Sequence, residues 1–301
     1  MREIYVSKNC ASDFTTIQQA VDSVRVFSLE PVLIYIASGI YHEKVTIPDN
    51  KPTIHIIGES KESTIISYDE YAEMTDENEN KLGTFRTAVL TSHADDFQLE
   101  NISLRNTAGY GKEIGQALAL YLAGDRCMIK NVALNGNQDT LYTSKGRHYF
   151  KKCYIEGHVD FIFGSATAVF DQCVIHSLRA GYVTAAATPE SQKFGFVFFN
   201  CKLTGTAEDE TVYLGRPWRP YAHTAFIRCW LGKHIKREGW NNWRNSENER
   251  TARYAEYKSS GPGALPIERA KWSSQLSAEE VKHLTINTIF CESSSWLPIR
   301  Y

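Results

Sequence analysis

The sequence has no long hydrophobic run, no excess of one charge and no obvious targeting segment. No apolar stretch approaches the roughly 20 residues that a membrane helix needs, and the N-terminal residues lack a basic region followed by an apolar one. The 33 basic and 35 acidic residues leave a net charge of −2, which argues against a nucleic-acid partner. We expect residues 1–301 to form one soluble domain that binds neither membrane nor nucleic acid.

Several catalytic signatures are also missing. The seven cysteines form no C-x-x-C pair, which weakens both a disulfide framework and a zinc site. No G-x-S-x-G segment is present, and none of the nine histidines lies in an H-E-x-x-H arrangement. These absences argue against serine hydrolases and zinc hydrolases, and we expect neither a metal nor a cofactor.

What the sequence does contain is a repeat. Six segments share an apolar-x-x-apolar-x-apolar pattern, at 99–104, 129–134, 150–155, 170–175, 198–203 and 226–231. Their alternation and their Phe, Val and Ile content indicate short strands, which could belong to a sandwich or a barrel. The middle position, however, is Cys in four successive units, and stacked coils explain such a recurrence best. The sequence therefore predicts an all-β parallel β-helix.

The four recurring cysteines are Cys153, Cys173, Cys201 and Cys229. We interpret them as small, reduced, buried residues. The alternative is a disulfide between neighbouring coils, such as Cys153–Cys173, because strands about 4.8 Å apart come within the range of disulfide geometry.

Both ends of the chain carry helical signals. Residues 13–24 place Ile17, Ala20, Val21 and Val24 on one face of a short amphipathic helix, which would cover the first open coil. Ser277 and Glu280 fit a capping box that opens a second short helix through about Leu284.

The repeat also relates two aspartates. Asp139 follows Val132 by seven residues, and Asp160 follows Cys153 by the same interval. If these anchors stack, the two carboxyl groups lie about one strand spacing apart. One of their pKa values should then rise above the other, which gives a proton donor beside an anion. A glycosidase, an aspartic protease or an esterase could use such a pair.

Gln116, Gln138 and Arg216 bear on the choice among these three enzyme classes and favour an esterase. Uncharged amide donors close to a carboxylate pair suit an oxyanion hole for acyl transfer. Arg216, in the segment YLGRPW, would keep a neighbouring carboxylate ionised and oriented. Aromatic side chains could line a sugar-binding groove, and the candidates are Tyr142, Phe163, Trp218 and Trp240. We interpret His158 as a surface residue.

These residues stand in segments that resemble the pectin methylesterases (pectinesterases), particularly the bacterial members. The resemblance covers residues 13–276 and rests on several ordered segments, namely SGIYHEKV, QALAL, GNQDTLY, YIEGHVDFIFG, YLGRPW, EGWNNW and YAEYKSSGPGA. His158 departs from it, because members commonly carry a small residue such as Thr at this position. The resemblance implies a right-handed parallel β-helix that hydrolyses methyl esters of galacturonate units and releases methanol.

The resemblance also implies a role for each site residue. Asp160 would be the nucleophile and Asp139 the general acid and then base, while Gln116 and Gln138 would bind the oxyanion and Arg216 would hold Asp160. Tyr142, Phe163, Trp218 and Trp240 fall where the family places groove aromatics. A pectate lyase, a polygalacturonase and a non-catalytic carbohydrate-binding β-helix are the alternatives.

Three further expectations concern the setting of the protein. Its partner would be pectin or a methylated oligogalacturonide, and we expect a monomer. Because no signal peptide is visible, we expect a cytoplasmic location, with a secreted or periplasmic protein whose leader has been removed as the alternative.

Overall fold

The computed structural model describes residues 1–8, 12–291 and 296–298. Within these described ranges, twenty-four strands form two parallel sheets. The strands of the first sheet are β1 (Arg2–Val6), β2 (Val32–Ile36), β5 (Ile54–Gly58), β8 (Gln98–Glu100), β11 (Cys127–Lys130), β14 (Arg147–Lys151), β16 (Thr167–Asp171), β18 (Phe196–Phe199), β21 (His223–Ile227), β23 (Arg253–Tyr257) and β24 (Ser274–Gln275).

The second sheet covers two faces of the molecule. Its strands are β3 (Gly39–His42), β4 (Val45–Ile47), β6 (Thr64–Tyr68), β7 (Leu90–Ser92), β9 (Ser103–Asn106), β10 (Leu120–Leu122), β12 (Ala133–Asn135), β13 (Leu141–Thr143), β15 (Tyr154–Gly164), β17 (Val174–Ala186), β19 (Lys202–Gly205), β20 (Val212–Pro217) and β22 (Trp230–Leu231). The long strands β15 and β17 run through both faces and join them. Each coil therefore presents three faces, and the predicted right-handed parallel β-helix is confirmed.

A sharp turn leads from the first face to the second in successive coils. One residue of each turn adopts a left-handed conformation with φ between 47° and 58°, at Asn101, Asn131, Lys152, Gln172, Asn200, Arg228 and Lys258. Asn tolerates this region better than most residues, and it occupies three of the seven positions. After each of the first six of these turns, the next residue is the middle position of the repeat.

The predicted repeat coincides with the strand register. Leu99, Ile129, Phe150, Phe170, Phe198 and Phe226 pair with one another from coil to coil along the first sheet. The inner Phe ladder consists of Phe150, Phe170, Phe198 and Phe226, whose rings stack with centroids 4.7, 4.4 and 4.4 Å apart. All four side chains are fully buried, so the ladder forms the centre of the core.

The four recurring cysteines are buried beside this ladder and carry free thiols, as predicted. Three of the thiols contact the carbonyl oxygen of a Phe in the preceding coil, since Cys173 Sγ lies 3.5 Å from Phe150 O and the next two coils repeat the contact. A weak S–H donor therefore meets a carbonyl at this position. Cysteine satisfies that contact where Ala would only fill the space.

Both predicted terminal helices are present. Helix α1 (Ile17–Ser23) buries Ile17, Ala20 and Val21, and the Glu43 carboxylate accepts hydrogen bonds from the first backbone N–H groups of the helix. Helix α2 is Asn248–Thr251, and α3 (Ala278–Lys282) begins with the capping box of Ser277 and Glu280.

Helix α4 (Ile286–Phe290) lies on the outside of the first sheet, where it contacts β16. Short 3₁₀ helices occupy Thr84–Arg86 and Pro266–Glu268. Across the described part of the chain, no helix is long and apolar enough to cross a membrane.

Candidate active site

Asp139 and Asp160 lie at matching positions in neighbouring coils. Leu141 pairs with Ile162 and Tyr142 with Phe163, so the two aspartates, each two residues earlier, share one register. Both have left-handed backbone conformations, with φ of 63° and 51°, at the bend between the second and third faces. Such strained positions often occur at functional sites, and here they turn two side chains of 8% and 7% exposure toward one cavity.

Arg216, on β20, forms a two-pronged ion pair with Asp160. Its Nε donates to Asp160 Oδ1 at 2.8 Å, and one terminal nitrogen donates to Oδ2 at 2.6 Å. The guanidinium group lies between two aromatic rings, 3.8 Å from the centroid of Tyr182 and 3.7 Å from that of Trp243. Because rings cover both faces of the guanidinium and its Nε edge is bound to both carboxylate oxygens, the orientation of the Asp160 carboxylate is fixed.

The two carboxyl groups differ in their electrostatic surroundings. Burial raises the pKa of Asp139 well above its ordinary value, and the nearby charge of Asp160 raises it further. Burial also raises the pKa of Asp160, but the hydrogen bonds and charge of Arg216 act in the opposite direction. Arg216 therefore favours the anionic form of Asp160, whereas Asp139 has no arginine partner and is the more readily protonated of the two.

Gln116 and Gln138 line the same cavity, which has a volume of about 250 Å³. Gln138 directly precedes Asp139, and Gln116 lies one coil away, next to Ala117, whose backbone N–H donates to Gln138 O. Among the described residues, neither Gln side chain has a hydrogen-bond partner. Two amide groups are therefore free to donate to an oxygen atom bound beside the carboxyl pair.

Aromatic side chains continue outward from the cavity along the third face. Tyr121, Tyr142 and Phe163 pair in register, and we call this set the groove ladder. The rings of Tyr142 and Phe163 stack with centroids 4.6 Å apart, and the tilted ring of Tyr121 lies 4.8 Å from that of Tyr142. Trp218 contacts Phe163 edge-on at 5.8 Å. The structure therefore places three of the four predicted aromatics, namely Tyr142, Phe163 and Trp218, at the site.

Known proteins resemble this chain in sequence and in architecture. The pectinesterase family model matches residues 3–293. Pectinesterase 31 of Arabidopsis thaliana is 36% identical over 306 residues, which cover 99% of this chain and 96% of that protein. The chain belongs to the pectinesterase family.

Solved structures agree with this assignment. A pectin methylesterase from carrot superposes with a TM-score of 0.90 at 28% identity, over 99% of this chain and 95% of that one. A pectin methylesterase in complex with a hexasaccharide superposes with a TM-score of 0.89 at 30% identity, over 99% of both chains. The predicted family, with its carboxylic ester hydrolase activity, is confirmed, whereas the finer bacterial assignment stays a prediction.

The prediction that Trp240 lies in the groove of this pectinesterase is wrong. Its side chain is 3% exposed and packs in the core between Phe226 and Tyr254. The backbone of Trp240 forms a β-bridge with that of Gly215, one residue before Arg216 on β20. The indole therefore lies on the inner side of β20, toward the core. Trp243, three residues later, reaches the cavity instead.

Sequence reasoning missed further residues of the site. Phe85, in the 3₁₀ helix Thr84–Arg86, lines the cavity and contacts Tyr142 at 4.8 Å. Tyr121 belongs to the groove ladder, and the ring of Tyr182 packs against one face of the Arg216 guanidinium. Tyr121 could have been found by counting 21 residues back from Tyr142, the interval that separates the two aspartates. Phe85 belongs to no repeat and gives no such signal.

Two other features of this pectinesterase bear on ligand chemistry. His158, expected on the surface, is half-buried, and burial lowers the pKa of its imidazole. Within residues 1–8, 12–291 and 296–298, no group of three or more His, Cys, Asp or Glu side chains is arranged to hold a metal ion.

Proposed function

We propose that this protein hydrolyses the methyl esters of galacturonate units in pectin or in oligogalacturonides and releases methanol, with Asp160 and Asp139 as its two catalytic groups. One observation carries the proposal. Two buried carboxyl groups lie in register in neighbouring coils, and only one of them is paired with an arginine. That asymmetry supports separate roles for a nucleophile and an acid.

In the first half of the reaction, an oxygen of the Asp160 carboxylate attacks the carbonyl carbon of the methyl ester. The negative charge that develops on the carbonyl oxygen accepts hydrogen bonds from the amide groups of Gln116 and Gln138. The bond to the methoxy oxygen then breaks, and protonated Asp139 gives its proton to that oxygen. Methanol leaves, and the galacturonyl group stays on Asp160 as an anhydride.

In the second half, Asp139 is an anion and takes a proton from a water molecule. The resulting hydroxide attacks the galacturonyl carbon, and the bond to Asp160 breaks. Asp160 returns as a carboxylate, Asp139 is protonated again, and the galacturonate unit carries a free carboxyl group. Arg216 holds Asp160 in one orientation throughout, which is the geometric requirement for attack.

The groove aromatics support a sugar polymer as the substrate. Tyr142, Phe163 and Trp218 present ring surface beside the cavity, with Phe85 and Trp243 on its rim. Flat apolar rings suit the faces of sugar rings. We assign the substrate-binding role of Trp240 to Trp243.

We further propose that the protein acts as a monomer formed by one domain over residues 1–301. A single hydrophobic cluster that extends from Ile4 to Tyr254 supports one domain, and light scattering with limited proteolysis tests both statements. For location, we propose the secreted or periplasmic alternative, because polymeric pectin lies outside the cytoplasm. Methanol-releasing activity measured in separated cell fractions tests it.

The replacement Asp160→Asn tests the mechanism. The amide is a poor nucleophile, so methanol release from methylated pectin should fall by about 10³-fold or more. Asp171→Asn is the matched control, since Asp171 is 6% exposed but lies on the first sheet and contacts Tyr149. It should retain methanol release per folded molecule.

Near-normal methanol release by Asp160→Asn would contradict the mechanism. Shortening of the polymer by the unmodified protein would instead favour a polygalacturonase or a lyase, and substrate binding without any turnover would favour a non-catalytic protein. Viscosity measured alongside methanol separates these outcomes.

A further inference from the structure

An arginine outside the catalytic cavity is held in one orientation without an acidic partner. The guanidinium carbon of Arg179, on β17, lies 3.6 Å from the ring centroid of Tyr110. One terminal nitrogen of Arg179 donates to Asn137 Oδ1 at 2.9 Å. Tyr110 lies in the connection between β9 and β10, so residues from three separate segments meet here.

Within the described residues, no Asp or Glu forms an ion pair with Arg179. Arg179 also lines a cavity of about 380 Å³ together with Glu208, which forms no ion pair with it. Arg216 differs, because Asp160 occupies its fork. Of the five N–H donors of a guanidinium, Arg179 uses one, so the others are free for an anionic ligand.

His158 completes the cluster. Its ring meets Tyr110 edge-on at 6.0 Å, and its Nδ1 is buried with no hydrogen-bond partner. Burial lowers the pKa of the imidazole, and the charge of Arg179 lowers it further. His158 is therefore neutral near pH 7, and the cluster, half-buried apart from the exposed ring of Tyr110, carries the positive charge of Arg179.

Two residues of the cluster lie on strands that also reach the catalytic cavity. His158 precedes Asp160 by two residues on β15, and Arg179 precedes Tyr182, which supports Arg216, by three residues on β17. Asn137 directly precedes Gln138 of the cavity. Three residues along a strand span on the order of 10 Å, a distance that neighbouring units of a polysaccharide cover.

We propose that Arg179, positioned by Tyr110 and Asn137, binds the carboxylate of an unesterified galacturonate unit close to the reacting one. This inference rests on the proposed function. It adds a substrate class, since it favours chains that carry both methyl esters and free carboxylates. A methyl ester offers no charge to Arg179, so a fully methylated chain lacks this interaction.

The experiment measures binding and turnover with separate probes. Isothermal titration calorimetry with unesterified hexagalacturonate compares the unmodified protein with Arg179→Gln. Because hydrogen bonds to charged groups are strong, we expect Kd to rise by about ten-fold or more, and the salt dependence of binding to weaken. Methanol release from a fully methylated oligomer should change little, which also reports correct folding.

Arg228→Gln is the matched control. Arg228 also lies over a tyrosine, with its guanidinium 5.5 Å from the Tyr257 ring, but it directly follows β21 of the first sheet. Equal Kd values for the two variants and the unmodified protein would overturn the inference. Tyr110→Ala provides a second variant, and it should weaken hexagalacturonate binding with the same selectivity. Absence of methanol release from the unmodified protein would contradict the proposed function, whatever Arg179 binds.

Discussion

The molecule contains two aromatic ladders built by the same strand register. The inner Phe ladder stacks with ring planes within 13° of parallel and is closed off from solvent. The groove ladder has almost the same centroid spacing, but its planes tilt by 54° and 25° and its tyrosines are half-exposed. Stacking is thus a consequence of parallel in-register strands. Whether a ladder is enclosed in the core or partly exposed beside the cavity depends on the side of the sheet from which its rings project.

The strongest test of this contrast is Phe198→Ala, which removes one member of the inner Phe ladder. Deleting a fully buried Phe ring leaves a cavity, and we expect a loss of about 3–5 kcal/mol in the free energy of unfolding. Denaturant titration measures the loss. Methanol release per folded molecule should stay near normal, and a collapse of activity without loss of stability would contradict the division between the two sides.

A second change acts on the outer side alone. Gln138→Ala removes one proposed oxyanion donor, and turnover should fall by about 10²–10³-fold. Gln138 has no side-chain hydrogen bond among the described residues, so the midpoint of thermal unfolding should hardly move. Unchanged kcat would rule out its role at the oxyanion.

Arg216→Lys changes the electrostatics of the site while keeping a positive charge. Lysine lacks the planar fork, so it lowers the pKa of Asp160 less than arginine does. The pKa of Asp160 should therefore rise, and the anion should form only at higher pH. We expect the acid limb of the kcat/KM profile to move to higher pH. Arg228→Lys is the control, and an unmoved acid limb would separate Arg216 from the ionisation of Asp160.

The smallest effect is expected for Tyr142→Ala, which interrupts the groove ladder. Part of the ring is exposed, so the loss of stability should be well below that of Phe198→Ala. Loss of a stacking surface should raise KM by several-fold with a smaller change in kcat. Equal losses in the free energy of unfolding for Tyr142→Ala and Phe198→Ala would contradict the distinction between the two ladders.

The repeat explains how much the sequence predicts here. Strand positions, the buried cysteines and the matched aspartates all follow from counting residues between apolar anchors, because a one-residue slip would reverse every side chain. Arg216 and the two glutamines came from short motifs next to strands. These three side chains meet at one cavity because the coils stack, and the spacing of the repeat also predicts that stacking.

Residues in the connections between strands could not be placed by counting along the repeat. Trp240 and Trp243 share the segment EGWNNW, and composition gives no reason to prefer one for the groove. A backbone bridge to Gly215 places Trp240 inward, while Trp243 adopts a left-handed conformation with φ of 57° and reaches Arg216. Phe85 arrives from a long loop whose path is fixed by contacts with distant segments, such as the hydrogen bonds that Lys44 Nζ donates to Arg86 O and Asn106 Nδ2 donates to Thr87 O. Local sequence carries no record of such contacts.

The row of free thiols provides a way to follow the unfolding of the β-helix coil by coil. Cys153, Cys173, Cys201 and Cys229 are buried one to a coil, and each coil of a solenoid contacts only its neighbours. Partial opening from one end would expose these thiols in sequence, because local unfolding proceeds in contiguous units. The order in which a thiol reagent labels them would then read out the direction in which the helix comes apart.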